Sequence, residues 1–106
     1  MNAQFKRGIV ELLVLKTVEE RPRSSFEVIE VLSEAVDVNE NTIYPILRRL
    51  SKQGYFDIEK DHSDIGAPRK VYTITKEGEE RLAEFEREWE TFLQNVLKIL
   101  GGKRYG

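Results

Sequence analysis

The last quarter of the chain limits its possible folds most. Leu82, Phe85, Trp89, Phe92, Val96 and Ile99 recur at spacings of 3, 4, 3, 4 and 3, the rhythm by which helices seam together. Leu93 and Leu100 broaden the stripe. Thr75 opens the segment, and Glu77, Glu79 and Glu80 follow where a helix start favours negative charge. Gly101-Gly102 closes it, and residues 103–106 read as a short basic tail. At 1.5 Å per residue, 25 helical residues extend about 37 Å, farther than a small domain can cover on one side. The surplus apolar surface predicts burial against a second copy, with Leu82, Phe85, Trp89, Phe92, Val96 and Ile99 forming the seam.

Composition fits a slender domain that completes its core against a partner. Apolar residues make up 40% and charged residues 34% of the 106, low and high respectively for a globular chain. There is no cysteine, which excludes a disulfide framework, a thiolate metal site and a thiol nucleophile. A lone histidine, His62, cannot supply the repeated nitrogen ligands of a zinc site, and no serine–histidine–acid arrangement is identifiable. Neither cofactor, metal nor catalysis is expected. No run approaches the roughly 18 apolar residues of a membrane span, and the N-terminus lacks the order of a secretory signal. The expectation is a soluble, cytoplasmic protein.

A second stretch, residues 39–54, reads as a helix with two chemically different faces. Ile43, Ile46, Leu47 and Leu50 share one side. The other carries Asn41, Tyr44, Pro45, Arg48 and Lys52, with Arg49 beside them and Thr42 near the start. Asn39 or Asn41 can cap it, and Gly54 can take the left-handed position that ends it. Pro45 leaves two readings open: a kinked or late-starting helix, or a regular one from Glu40. A short helix with an apolar back and a basic, hydrogen-bonding front is what major-groove reading requires.

Residues 55–60 alternate Phe56 and Ile58 with Asp57 and Glu59, the period of a half-buried strand. The polar loop at 61–69 is punctuated by Gly66 and Pro68, and residues 70–74 return as a second strand. Helix and hairpin together read as a reading head with a two-stranded β-wing, Arg69 and Lys70 standing at the wing's base within reach of phosphates. The net charge of −2 argues against a generally basic protein. Its distribution is uneven: residues 39–73 hold six basic and five acidic side chains, and residues 75–100 four and seven. The acid is concentrated in the last helix.

Upstream, residues 5–20 form a helix whose stripe of Phe5, Ile9, Leu12, Leu13 and Lys16 is widened by Val10, Val14, Leu15 and Val18. Such a helix is covered on more than one side. Arg21-Pro22-Arg23 interrupts the pattern. Ser24-Ser25-Phe26-Glu27 then offers a capping box, and Phe26, Ile29, Leu32 and Val36 are the expected buried side of the second helix. The fold class is α+β: a winged helix-turn-helix over 5–74, with three N-terminal helices and the wing, a dimerisation helix over 75–100, and a tail over 101–106.

From residue 6 to residue 100 the chain resembles the PadR family of winged-helix regulators. The similarity lies in Gly8-Ile9-Val10-Glu11-Leu12-Leu13-Val14-Leu15 and, most strongly, in Thr42-Ile43-Tyr44-Pro45-Ile46-Leu47-Arg48-Arg49-Leu50. It continues at Gly66-Ala67-Pro68-Arg69-Lys70-Val71-Tyr72 and at Thr73-Ile74-Thr75-Lys76-Glu77-Gly78. Where many relatives carry His-Gly-Tyr-Glu before helix two, this chain has Ser24-Ser25-Phe26-Glu27. The resemblance implies a homodimeric repressor on double-stranded DNA with an inverted-repeat operator, its third helix in the major groove and its wing near the minor groove. Asn41 and Tyr44 are the candidates for base contacts, with Thr42 beside them. Arg48, Lys52, Arg69 and Lys70 are assigned to phosphates, and Ser24 and Ser25 can donate to phosphate as well.

The match also extends to multidrug-sensing members, in which a tryptophan on the last helix pairs with its dimer mate and stacks flat drugs. Trp89 looks like that residue, with Phe85 and Phe92 as further wall and Glu86 and Glu90 near the opening. A planar hydrophobic or cationic small molecule is thereby an expected partner. Plain packing of Trp89 in the interface is the competing account. A protein–protein adaptor built on the same scaffold, or an architectural DNA-binding protein without effector, are the rival functions.

Overall fold

The computed structural model of the chain describes residues 3–61 and 69–101, the side chains of 3–7 and 61 excepted. The expected wing loop with His62, Gly66 and Pro68, the side chain of Phe5, and the tail beyond Gly101 lie outside the described residues. The elements are α1 (Ala3–Glu20), β1 (Arg23–Ser24), α2 (Ser25–Val36), α3 (Glu40–Lys52), β2 (Phe56–Asp61), β3 (Arg69–Ile74) and α4 (Lys76–Ile99).

The wide apolar arc of α1 is explained by its neighbours, for it touches α2, α3, α4 and β3. Val10, Val14, Leu15 and Val18 are fully enclosed. Its C-terminal turn is tied down from outside the helix: Arg23 Nε donates to the Thr17 carbonyl at 2.8 Å. That bond satisfies one of the carbonyls a helix end leaves without a partner.

At α2 the capping box forms in full. Ser24 Oγ accepts from the Glu27 N–H at 3.2 Å, and Glu27 Oε1 accepts from the Ser24 N–H at 2.9 Å. Val28 and Leu32 are the buried residues, with Ile29 and Val36 partly covered. Phe26, expected in that set, is instead 64% exposed. Two positions from Val28, it lies roughly 200° away around the helix and cannot share its face. The helix ends on Asp37 in the left-handed region, φ 50°, a conformation that aspartate tolerates better than most residues.

Asn39 caps α3, its Oδ1 accepting from the Asn41 N–H at 2.9 Å. Of the two readings of Pro45, the regular helix from Glu40 is the one found. The carbonyl deprived of a donor belongs to Asn41, an exposed residue to which water can bond. Ile43, Ile46, Leu47 and Leu50 are buried. The helix closes with a paired bond: Tyr55 N–H to Leu50 O at 3.0 Å and Gly54 N–H to Ser51 O at 3.1 Å, with Gly54 at φ +86°. This Schellman geometry needs a residue without a Cβ penalty there.

The wing belongs to a three-stranded antiparallel sheet of order β1-β3-β2. The third strand, absent from the two-stranded expectation, is the two residues of β1, where Arg23 faces Tyr72 and Ser24 faces Val71. Strand β2 pairs β3 through Phe56↔Ile74, Ile58↔Tyr72 and Lys60↔Lys70, alternating with Asp57↔Thr73, Glu59↔Val71 and Asp61↔Arg69. Phe56 and Tyr72 pack edge to face, centroids 6.1 Å apart, and anchor the sheet to the core.

Strand and long helix meet at Thr75. Its N–H donates to the Tyr55 carbonyl (3.0 Å) and its hydroxyl to the Gly54 carbonyl (2.7 Å), while Oγ1 accepts from the Gly78 N–H (3.0 Å). Gly78 permits this approach, because a Cβ there would stand 2.3 Å from Tyr55 O. Beyond the junction α4 packs on α1 and β3, then runs out past the core. Leu82 is buried, whereas Phe92, Leu93 and Leu100 are exposed and Ile99 is 86% exposed.

Candidate nucleic-acid interface

Between α3 and the wing lies a cleft of about 350 Å³, lined by Ser25, Tyr44, Arg48, Ser51, Lys52, Ile58, Lys70 and Tyr72. Helical spacing puts Tyr44, Arg48, Ser51 and Lys52 along one side of α3. Strand alternation brings Ile58, Lys70 and Tyr72 to one face of the hairpin. Three cations from two elements therefore converge on one opening. None of these lining residues is acidic, in a chain with 19 carboxylate side chains. Local charge outweighs the net −2 here, because water-exposed charges are screened beyond roughly 8 Å at physiological salt.

The cleft unites five of the nine residues read from sequence as DNA contacts: Ser25, Tyr44, Arg48, Lys52 and Lys70. Asn41 and Thr42 lie on the first turn of α3, outside the lining. Ser24 must be corrected: it is buried and its hydroxyl is engaged in the cap, which leaves it no surface for phosphate. Arg69 and Lys70 separate onto opposite faces of β3, Arg69 in register with Asp61 and Lys70 with Lys60. Lys60 therefore shares a hairpin face with Lys70, although it is not among the residues that line the cleft. Tyr72, Ser51 and Ile58 were missed. Phe56 and Ile58 looked like one buried pair, yet Ile58 is 43% exposed at the edge of the cleft. Arg49 turns away from the opening, to Glu11 of α1 at 2.6 Å. Burial, opposed by the Arg48 charge, raises the Tyr72 phenol above its usual range, so it is a neutral O–H donor at physiological pH.

A second cavity, about 270 Å³, opens between α1 and α4 and is lined by Leu12, Leu13, Lys16, Glu86, Trp89 and Glu90. Trp89 lines it together with Glu86 and Glu90. Phe92 lies against the Trp89 ring at 5.7 Å between centroids. Phe85 is not among the lining residues; its ring sits beneath the Arg81 guanidinium at 4.7 Å. Lys16 offsets part of the rim's negative charge. Its ammonium is held above the ordinary lysine range by the hydrogen bond to Glu19, with a smaller contribution from Glu86.

Three helices, a short third strand and a β-wing framing a cationic cleft define a winged-helix DNA-binding protein. Residues 14–84 match the Transcriptional regulator PadR-like family, and the chain belongs to that family. An uncharacterized protein of Lysinibacillus sphaericus is 30% identical over 95 residues, covering 84% of this chain and 85% of the relative. A PadR-like transcription factor from Bacteroides fragilis is 33% identical with a TM-score of 0.79, over 92% of this chain and 95% of that one. A PadR family regulator from Eggerthella lenta is 33% identical with a TM-score of 0.83, over 92% and 87% respectively. Regulators of this family are DNA-binding transcription factors, not enzymes. No described helix is long and apolar enough to cross a membrane.

Proposed function

We propose that this regulator acts as a homodimeric repressor on an inverted-repeat operator, with residues 5–74 as its DNA-binding unit and 75–100 as its dimerisation helix. The observation that carries the DNA reading is the carboxylate-free lining of the cleft, where Arg48, Lys52 and Lys70 converge beside Tyr44. A protein–protein adaptor gives no reason for two cations of α3 and one of β3 to share an opening without a carboxylate. In this reading α3 enters the major groove, Asn41 and Tyr44 approach bases, and half-sites lie about one turn, roughly 34 Å, apart. Selection of bound duplexes from a random pool by the purified protein tests it. Enrichment of an inverted repeat is the expected result; a pool that stays random sinks the repressor.

The Trp89 cavity supports an effector reading on a separate observation: an indole, two leucines and two glutamates, with Lys16 the one cation, frame one opening. A flat, positively charged compound can use the indole face and the carboxylates together. It would release DNA only by binding the DNA-incompetent dimer more tightly. Trp89 is the single tryptophan, so its fluorescence reports from this position. Saturable quenching by a planar cationic dye is expected; no saturable change across a varied panel leaves α4 as a dimerisation helix only.

A further inference from the structure

We propose that the cleft between α3 and the wing seats one backbone phosphodiester of the bound duplex, and that the Tyr72 hydroxyl donates a hydrogen bond to it. The assignment rests on the DNA-binding reading and adds to it a contact from a core residue. Tyr72 is only 5% exposed, and among the described residues its hydroxyl has no hydrogen-bond partner. Among the described residues no fully sealed side-chain oxygen or nitrogen lacks a partner, so the unpaired hydroxyl reaches solvent, and its residue lines this cleft. Tyr44 and Arg48 stand in the same lining, and the phenol is close enough to Arg48 for its charge to act on it. A donor that reaches the cleft without a protein partner is available to a ligand that enters it.

The register supplies a second, independent sign. Lys60 and Lys70 stand directly opposite each other, on the face that carries Ile58 and Tyr72. Like charges in that relation destabilise a hairpin, and an anion between them reverses the sign of the interaction. The remaining lining matches the rest of a nucleotide backbone: Ser25 at the start of α2 offers a hydroxyl and a helix N-terminus to the phosphate, and exposed Ile58 gives an apolar wall to the sugar.

The test is Tyr72→Phe, which keeps the ring against Phe56 and removes only the hydroxyl, measured on a duplex recovered by selection and on random duplex. Affinity should fall at least about tenfold on both, as expected for loss of a hydrogen bond to a charged group. Because no charge is removed, the slope of log K against log salt should stay where it is, whereas Lys70→Ala lowers it by about 0.9. Single neutral methylphosphonates are then placed along the selected duplex. One position should cost the parent clearly more than it costs Tyr72→Phe, the remainder in the variant being the loss felt by the cleft's cations. Equal binding by parent and a folded Tyr72→Phe overturns the assignment, as does a scan in which every methylphosphonate costs both proteins alike. Failure of the parent to bind any duplex removes the DNA reading and this assignment together. Inorganic phosphate at fixed ionic strength is the last arm. Binding without DNA that Tyr72→Phe abolishes would give the cleft to free phosphate esters instead.

Discussion

At the scale of single residues, Ser24 and Glu27 show how a reading can be right in its pattern and incomplete in its meaning. The Ser-x-x-Glu spacing was legible as a cap because the motif is local; that it buries Ser24, and so withdraws it from DNA, depends on β1 pairing with β3, which no short window contains. Replacing Ser24 with alanine should cost about 1 kcal/mol and lower the midpoint of thermal unfolding by several degrees. The Ser24 N–H, joined by its hydroxyl and Arg21, holds the Glu27 carboxyl below its ordinary value of 4.5. A depressed carboxylate stabilises the fold above its unfolded pKa, and that share is lost as pH falls through the folded value. Urea unfolding should therefore show Glu27→Gln weaker than the parent near neutrality, the gap closing below about pH 4. Lys60 makes a prediction with opposed signs. Lys60→Ala should stabilise the hairpin by a few tenths of a kcal/mol and lower the salt slope of DNA binding by about 0.9. A variant that is both less stable and equally tight on DNA would refute the facing of Lys60.

Among the elements, α3 was the most legible, since its buried and polar faces alternate at helical spacing and Gly54 marks its end. Pro45 could not be resolved from sequence, because whether a missing donor matters depends on whether the abandoned carbonyl reaches water. Helix α4 was legible in extent but not in how its length is divided. Leu82 falls on the same heptad stripe as Ile99, yet it is spent within its own protomer while Ile99 is left outside. Gly78 belongs to the same lesson. Helix propensity favours alanine over glycine by about 1 kcal/mol, but the added Cβ would meet a backbone carbonyl and the Ile74 side chain. A carbonyl cannot rotate aside, and overpacking of this kind costs about 1–3 kcal/mol. Sterics should win: Gly78→Ala is expected to lower the denaturation midpoint, and a rise would mean that α4 sits farther from Tyr55 than described.

For the whole molecule, the exposed apolar end of α4 and its overhang make an extended particle of 55 × 28 × 22 Å, whose unmatched surface calls for a second copy. Leu93 and Ile99 are both exposed in the protomer, so Leu93→Glu with Ile99→Glu should leave the protomer folded and abolish the dimer. Sedimentation should give a monomer with the parent's helical content; a dimer that persists would place the seam elsewhere. The junction at Thr75 then acquires a mechanical meaning. Two hydrogen bonds from Thr75 and the close approach at Gly78 tie the root of α4 to the residues that end α3, so the two helices turn as one bent bar. A bar about 36 Å long that pivots by about 10° carries its far end about 6 Å, nearly two base-pair steps. A slight scissoring where two such bars cross would pull a pair of reading heads out of phase with the duplex, while every contact inside each protomer stayed as it was.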